Sequence, residues 1–152
     1  MAHTELPPVR LERAVERECI LSLLRCCGLP VEDLDTSHPV QFLVMEEEGH
    51  LFGCVGIEEV TKEHALVRSL AVDPKRRGAS IGSRLLEAAE TLSRRRGIHE
   101  AYLLTLTAEA FFAHRGYRRV ERTVAPDGIA KSTEFAFVCP ASSAFMMKRL
   151  RV

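Results

Sequence analysis

The sequence lacks both an excess of charge of one sign and any long apolar run. Its 21 basic and 21 acidic residues balance to a formal net charge of +0, so the whole-molecule field gives no reason to expect nucleic acid or a membrane surface as a partner. The longest apolar runs, such as residues 42–45 and 101–104, fall well short of the roughly 20 residues that span a bilayer. The N-terminus also lacks a basic region followed by an apolar stretch, so we expect no signal peptide.

Cysteine pairs and metal-ligand spacings are lacking as well. The number of cysteines is odd, and neither they nor the six histidines recur at the intervals of a zinc site. We therefore expect no metal and interpret the cysteines as reduced thiols of a cytoplasmic protein, all except Cys139 being buried as small hydrophobic side chains. They are Cys19, Cys26, Cys27, Cys54 and Cys139.

What is present is the composition of one ordinary globular domain. Apolar residues make up 46% and charged residues 28% of the 152 residues, and a chain of this length can bury roughly 68 to 70% of its unfolded surface. No repeat, low-complexity tract or linker divides the chain. We therefore predict a single domain over residues 1–152.

Hydrophobic periodicity predicts an α/β (α+β) fold, with one mixed sheet and helices on both of its faces. In the strand predicted at residues 64–72, simple alternation places Leu66, Arg68, Leu70 and Val72 on one side. The predicted strands begin near Val9 and cover residues 41–46, 51–60, 64–72, 101–104, 118–123 and 144–150, and the predicted helices cover residues 15–27, 81–96 and 108–115.

A basic, glycine-containing loop joins the strand at residues 64–72 to the helix that follows it. Such a loop brings unpaired backbone N–H groups and the positive end of a helix dipole to one spot, which binds phosphates. Gly78 and Gly82 would let a bulky anion approach closely, and Arg76 or Arg77 can add charge-assisted contacts. The loop has neither the ending of a P-loop nor the three glycines of the dinucleotide fingerprint.

Residues 66–86 closely resemble the cofactor motif of the GNAT superfamily of N-acetyltransferases. The family pattern is Gln or Arg, two residues, Gly, one residue, then Gly or Ala, and Arg77, Ser80 and Gly82 occupy those positions here. Ser80 departs from the pattern by adding a side chain where the cofactor diphosphate packs, so it could bond a phosphate or slightly weaken binding. The resemblance continues as far as Tyr117.

This resemblance implies the GNAT fold, a mixed and mostly antiparallel sheet whose central parallel strands splay apart, with acetyl-CoA as co-substrate. The pantetheine amides would pair with the strand edge at residues 70–72 like an added strand, with Thr105 facing them. The amide of Leu70 would polarise the thioester carbonyl. The implied cofactor-binding residues are Leu70, Ala71, Val72, Arg77, Gly78, Ala79, Ser80, Ile81, Gly82, Ser83, Thr105 and Phe112.

Two segments resemble particular groups within the family. Residues 103–117 are similar to the corresponding part of amino-acid N-acetyltransferases of the N-acetylglutamate synthase kind. The tail at residues 133–148 resembles a small bacterial GNAT group named for its occurrence with arsenic-resistance genes. Both resemblances imply a small-molecule amine as acceptor, either a free amino acid or an amino-acid-like toxin.

Acyl transfer to an amine needs a neutral amine and a way to protonate or release the thiolate. Glu58 or Glu59 could accept the amine's proton directly or through water; the alternative is that both are solvent-facing charges at a strand end. Many family members have a tyrosine acid where this chain has Phe112, so the acid is unassigned. Water, Thr105, Ser142 or Cys139 would replace it, unless the thiolate leaves unprotonated.

Three residues are candidates for binding the acceptor. Arg68 is predicted to share a strand side with Leu70, so its guanidinium could grip a substrate carboxylate through two parallel hydrogen bonds. The alternative for Arg68 is an ordinary structural ion pair. Thr105 faces the same cleft, and Cys139, which precedes Pro140 in a polar turn, could line the acceptor pocket.

Two other functions stay open on the sequence alone. Composition does not separate a small-molecule enzyme from a protein or peptide N-acetyltransferase. The missing tyrosine at Phe112 and the serine at Ser80 leave room for a non-catalytic acyl-CoA sensor. Apolar strand edges near the C-terminus favour a homodimer.

Overall fold

A computed structural model of the chain describes residues 6–35, 38–78, 80–132, 135 and 142–150. Over these ranges seven strands form one sheet in the order β1-β2-β3-β4-β5-β7-β6. Neighbouring strands are antiparallel except for the central pair, β4 and β5. The strands are β1 (Arg10–Leu11), β2 (Val40–Glu47), β3 (His50–Glu59), β4 (His64–Val72), β5 (Glu100–Thr105), β6 (Arg118–Arg119) and β7 (Ala144–Arg149).

Helices cover both faces of this sheet, as the sequence predicts. On one face α1 buries Ile20 and Leu24 in a cluster with Phe42 of β2. On the other face α2 buries Leu85 in a larger cluster with Phe52 of β3. The predicted mixed, mostly antiparallel sheet between two helical layers is therefore confirmed. The helices are α1 (Arg17–Cys26), α2 (Ile81–Arg95), α3 (Glu109–Ala113) and α4 (Asp127–Ala130).

A bulge in β4 overturns the side-chain alternation expected for that strand. The register of β3 with β4 leaves Ser69 and Leu70 opposite the single residue Val55, and Ser69 adopts a left-handed φ of +56°. One extra residue reverses the alternation beyond it. Arg68 consequently points to the α1 face, where it meets Asp33, whereas Leu70 packs towards the core beneath α2. The prediction that Arg68 and Leu70 share a side is wrong.

The two parallel strands pair over only part of their length. Residues His64, Ala65 and Leu66 of β4 lie opposite residues 100–102 of β5, and no pairing of the two strands is found further along them within the described residues. The strands therefore splay apart at the centre of the sheet, as the resemblance implied. The open end of this splay faces the start of α2.

The C-terminal part of the chain differs most from the prediction. The strand expected at residues 118–123 ends at Arg119, because it is an edge strand with β7 as its one partner, and the chain then turns into a 3-10 helix at Arg122–Val124. The short helix α4 was not predicted. β7 lies between β5 and β6, and Arg118 and Arg119 pair with its outer edge at Met147 and Met146. The homodimer stays a prediction.

The expected burial of the cysteines also fails in part. Among the described cysteines, Cys54 is buried, Cys27 is half-buried, and Cys19 and Cys26 are exposed. Burial raises the pKa of the Cys54 thiol to about 12. Cys139 lies outside the described residues. In the described part of the chain, no helix combines the length and apolarity needed to cross a membrane.

Candidate active site

The splayed strands enclose a cleft of about 1340 Å³. Its walls are the separated ends of β4 and β5, the loop and first turn of α2, and the chain that follows α1. The structure brings the predicted cofactor residues that it describes to this one cleft, whereas Ala79 lies outside the described residues. The predicted residues along it are Leu70, Ala71, Val72, Arg77, Gly78, Ser80, Ile81, Gly82, Ser83, Thr105 and Phe112, with Arg68 nearby in the same lining.

The first turn of α2 forms one end of the cleft. Ser80 is its N-cap residue, and the Ser80 side chain makes no capping hydrogen bond. The first amides of a helix have no intrahelical acceptor, and they carry the positive end of the helix dipole. Gly78, with a φ of +95°, lines the cleft shortly before this turn. The local structure suits an anion such as a diphosphate.

Ser80 stands in a backbone conformation that favours glycine. Its φ is +62° and its ψ is 20°, the left-handed region, which costs an L-residue about 1–2 kcal/mol. The family motif has glycine at this position, and the conformation supplies a physical reason. The consequence of the serine is therefore backbone strain, in addition to the extra side chain expected from the sequence.

Gly82 has a packing role that the sequence did not reveal. A Cβ built on Gly82 would lie 3.3 Å from Cζ of Phe111, a distance at which one of the two must give way. The absence of a side chain therefore lets the Phe111 ring sit against the start of α2. The expectation from the sequence concerned only the approach of an anion.

Arg77 lies at the rim of the cleft and contacts the end of β4. Its Nε donates to the carbonyl oxygen of Val72 at 3.2 Å, and its Nη2 lies 3.6 Å from Sγ of Cys27. The Cys27 thiol also donates to the Val72 carbonyl at 3.5 Å. Cys27 lines the cleft, a position that its sequence neighbourhood did not indicate because Arg77 is 50 residues away.

Arg115 also lines the cleft, and the sequence analysis missed it. Its Nε donates to Oγ of Ser83 at 2.8 Å, Nη2 donates to the same oxygen, and Nη1 donates to the carbonyl oxygen of Phe111 at 2.7 Å. The guanidinium carbon lies 3.7 Å from the centre of the Phe111 ring, in a cation–π arrangement. The available sequence signal was the i, i+4 spacing of Phe111 and Arg115.

Arg68 is held by acidic residues on the α1 face of the sheet. Its two terminal nitrogens donate to the two carboxylate oxygens of Asp33 at 2.5 and 2.7 Å, and Nη1 lies 3.4 Å from Oε1 of Glu58. The Arg68 and Asp33 side chains are each 1% exposed. The structure therefore shows the ion-pair alternative for Arg68. Asp33 gave no sequence signal because it lies 35 residues from Arg68.

The two glutamates proposed as bases do not line the cleft. Glu58 is buried, and burial raises the pKa of its carboxyl group, although Arg68 and His38 lower it in part. Its Oε2 lies 3.4 Å from Nδ1 of His38. Glu59 is exposed and pairs with Arg96 at the end of α2, at 3.3 Å. The solvent-facing alternative thus describes Glu59 correctly and Glu58 wrongly.

Thr105 and Ser142 are the two candidates for the acid that the structure describes, and Thr105 lines the cleft. Oγ1 of Thr105 accepts a hydrogen bond from the amide of Ala108 at 3.0 Å, which fixes the turn after β5. Tyr117 is buried in the core and stacks edge-on with Phe112. Burial and the neighbouring Glu90 carboxylate raise the pKa of the Tyr117 hydroxyl well above its usual value. Ser142 is exposed.

No group of side chains in the described part of the chain is arranged to hold a metal ion. The cleft is instead organised around backbone amides and arginines. A mixed sheet splayed over a helix N-terminus is the architecture of one class of acyltransferase domain. The sequence profile of the acetyltransferase (GNAT) domain matches residues 38–119, more than half of the chain. The chain belongs to the GNAT acetyltransferase family.

Comparison with known proteins gives relatives of two kinds. An uncharacterised N-acetyltransferase from Chlorobaculum tepidum is 36% identical over 60% of this chain and 59% of its own length. An amino-acid acetyltransferase from Pseudomonas fluorescens is 34% identical over 51% of this chain, which matches 18% of that enzyme. The chain therefore spans less than two thirds of the length of each of these relatives.

A solved structure reproduces the fold over nearly the entire chain. N-acetylglutamate synthase from Neisseria gonorrhoeae, in complex with coenzyme A and N-acetyl-glutamate, superposes with a TM-score of 0.83 at 21% identity. The superposition covers 99% of this chain and 37% of that one. At this identity the match establishes the fold.

Proposed function

We propose that this protein is a single-domain acetyltransferase that transfers the acetyl group of acetyl-CoA to the amino group of a small molecule. The observation that carries the proposal is the cleft between β4 and β5, whose open end is the N-terminus of α2. A cofactor with a diphosphate at one end and an extended amide chain at the other matches a cleft of this form. Membership of the GNAT family supports the same activity.

Acetyl-CoA would lie along the separated edge of β4. The pantetheine amides would pair with residues 70–72 as an added strand does, with Thr105 and Phe112 on the opposite wall. The diphosphate would meet the loop from Arg77 through Ala79 to Ser83, where helix amides and Arg77 supply positive charge. This assignment retains every cofactor residue predicted from the sequence.

The chemistry is direct attack of a neutral amine on the thioester carbonyl. A C–N bond forms, the C–S bond breaks, and the CoA thiolate leaves with the electron pair. The amide of Leu70 lies in the bulge of β4 and would donate to the developing oxyanion. Because Glu58 and Glu59 lie outside the cleft lining, we assign both proton transfers to water in the cleft.

Glu58 would act indirectly, by positioning Arg68. Arg68 directly precedes the β4 bulge, and its side chain ties β4 at this point to Asp33 in the segment after α1. This arrangement would fix one wall of the acceptor site relative to the Leu70 amide. Arg68 is therefore proposed as a positioning residue, and Cys139 stays a prediction for the acceptor pocket.

The acceptor class we propose is an amino acid or an amino-acid-like toxin. Relatives named amino-acid acetyltransferases support it, as does the structural match with a synthase crystallised with N-acetyl-glutamate. The link with arsenic resistance, the cytoplasmic location, the absence of nucleic-acid and membrane partners, and the homodimer stay predictions from the sequence.

Release of CoA thiol from acetyl-CoA tests the proposal. The purified protein is assayed against amino acids, phosphinic and arsonic amino-acid analogues, aminoglycosides and a lysine peptide, with acceptor-free reactions as the control for hydrolysis. Release with an amino-acid-like acceptor is expected. Release with the lysine peptide alone would favour a protein N-acetyltransferase. Saturable acetyl-CoA binding without release for any acceptor would favour a sensor.

A further inference from the structure

We propose that Arg115, together with Ser83, forms a second phosphate-binding site of the cleft and holds a phosphate group of CoA. This inference rests on the proposed function. It concerns a residue outside the glycine-containing loop, carried by the chain just after α3. The proposal adds a cation that contacts Ser83 and Phe111, whereas Arg77 contacts the end of β4.

Two hydrogen bonds to Ser83 place Arg115 at the end of the cleft where α2 begins. Its Nε and Nη2 donate to Oγ of Ser83, and Ser83 is the third residue of α2. The guanidinium is therefore placed within one hydrogen bond of the first helical turn, where amides without intrahelical acceptors gather. Arg115 and Ser83 both line the cleft.

Donors remain available on both side chains. A guanidinium has five N–H groups, and the three contacts with Ser83 and Phe111 use three of them, so two are left over among the described residues. The Ser83 oxygen accepts two hydrogen bonds from Arg115, so its own O–H points elsewhere. A phosphate oxygen in the cleft would accept from both side chains.

Arg115 is also held in place before any ligand arrives. Its guanidinium stacks on the Phe111 ring, and the ring sits against Gly82, where a Cβ would come within 3.3 Å. A long side chain normally loses rotamer freedom when it orders on a ligand, at a cost of about 0.5–1.5 kcal/mol, and this packing removes part of that loss. Preorganised donors are what an anion site requires.

The competing interpretation is a structural brace. In that case Arg115 only ties the end of α3 to the start of α2, and its loss would affect every ligand of the cleft alike. The two interpretations differ in one respect. A phosphate site acts on ligands that carry phosphate, whereas a brace does not distinguish them from ligands without it.

Calorimetric titration with three ligands separates the two. CoA carries the diphosphate and the 3′-phosphate, dephospho-CoA lacks the 3′-phosphate, and pantetheine has no phosphate. The variants are Arg115→Gln and Arg115→Lys. Arg84→Gln is the matched control, because Arg84 is an exposed arginine next to Ser83 in the first turn of α2. Circular dichroism confirms that each variant folds.

Arg115→Gln is expected to weaken CoA binding about 10- to 100-fold, the range for lost charge-assisted hydrogen bonds, and to leave pantetheine binding unchanged. Arg115→Lys keeps the charge without the planar fork, so a smaller loss is expected. Arg84→Gln should change CoA affinity less than about 3-fold. A loss that persists with dephospho-CoA identifies the diphosphate as the bound group; a loss that disappears identifies the 3′-phosphate.

Two results would overturn the inference. Unchanged CoA affinity in Arg115→Gln would remove Arg115 from the site, and an equal loss for CoA and pantetheine would make it a brace. If the glutamine variant does not fold, the lysine variant decides by the same comparison. Failure of the wild-type protein to bind CoA at all would instead refute the proposed function, and the inference with it.

Discussion

Ser80 stands at the position where the family motif has glycine, and its backbone is in the left-handed conformation. At the scale of single residues, this strain can be removed without touching the amides of α2. Ser80→Gly should relieve about 1–2 kcal/mol of strain and lose about 0.5–1 kcal/mol to backbone entropy. We expect a gain in the free energy of unfolding of up to about 1.5 kcal/mol, measured by urea denaturation, with CoA affinity undiminished.

Ser22→Gly is the matched control for this change, since Ser22 is an exposed residue within α1. There the backbone is helical, so glycine should destabilise the protein by a few tenths of a kcal/mol. If both substitutions destabilise the protein equally, Ser80 carries no strain.

The buried Glu58 carboxyl group makes stability depend on pH. Because its pKa is raised above the ordinary 4.5, the folded protein binds this proton more tightly than the unfolded chain does. The stabilisation is fully present below about pH 4.5 and is lost as the pH rises through the folded-state pKa. We expect Glu58→Gln to gain stability relative to wild type as the pH rises above about 4.5, measured by urea unfolding at several pH values.

Glu59→Gln removes the same charge from an exposed position and serves as the control for this series. The pH dependence of the difference from wild type should be larger for Glu58→Gln. A difference that shrinks with rising pH would contradict the raised pKa. Arg68 and His38, which face the carboxylate, are intact in both variants.

Residues of the local motif were predictable from the sequence, and residues whose side chains depend on distant partners were not. Arg77, Gly78 and Ser80 stand in a local motif, so their places along the cleft could be predicted. The pairing of Arg68 with Asp33 depends on the whole fold, because no pattern connects two residues 35 positions apart. Arg115 was missed for the same reason, since its partner Ser83 is 32 positions away.

At the scale of elements, the bulge of β4 depends on its neighbour β3. A Cβ on Gly56 would lie 2.9 Å from Cγ1 of Val40 and 3.3 Å from the carbonyl oxygen of Arg68. Gly56→Ala should therefore push on the strand just before the bulge. We expect a loss of about 1–3 kcal/mol in the free energy of unfolding and a lower kcat for the acetyl transfer, measured by denaturation and by thiol release.

The double variant Gly56→Ala with Val40→Ala checks the mechanism. Removing the Val40 methyl groups makes room for the new Cβ, so the two substitutions should cost less together than the sum of their separate effects. Strict additivity would show that Val40 is not the obstacle.

The bounds of β4 were predicted correctly, but its bulge was not. Alternating apolar residues define where a strand begins and ends, and the observed His64–Val72 matches the predicted range. An extra residue in the strand leaves the composition unchanged and becomes visible only in the register with β3. The end of β6 could not be predicted for a similar reason. The residues after Arg119 suit a strand, but β6 lies at the edge of the described sheet with β7 as its one neighbour.

At the scale of the whole molecule, binding of the cofactor should appear as added stability. Acetyl-CoA at about 100 times its Kd should raise the free energy of unfolding by about 2.7 kcal/mol. In Arg77→Glu the reversed charge at the diphosphate should remove most of this gain at the same concentration, measured by denaturation with and without ligand.

Arg95→Glu is the control, because it reverses an exposed charge at the opposite end of α2. Its ligand-induced gain should equal that of the wild-type protein. An undiminished gain in Arg77→Glu would exclude Arg77 from the phosphate site.

The partial pairing of β4 with β5 gives the sheet a seam. Strands β1 to β4 form one ribbon and β5 to β7 another, and in the described residues three residue pairs join the two ribbons. A molecule lying in the splay would complete the missing ladder, so the co-substrate would serve for a time as an eighth strand. The ligand-free protein should then open locally along this line. The backbone amides of Leu70 and Val72, which do not pair with β3, should exchange their hydrogens fast until the ligand binds.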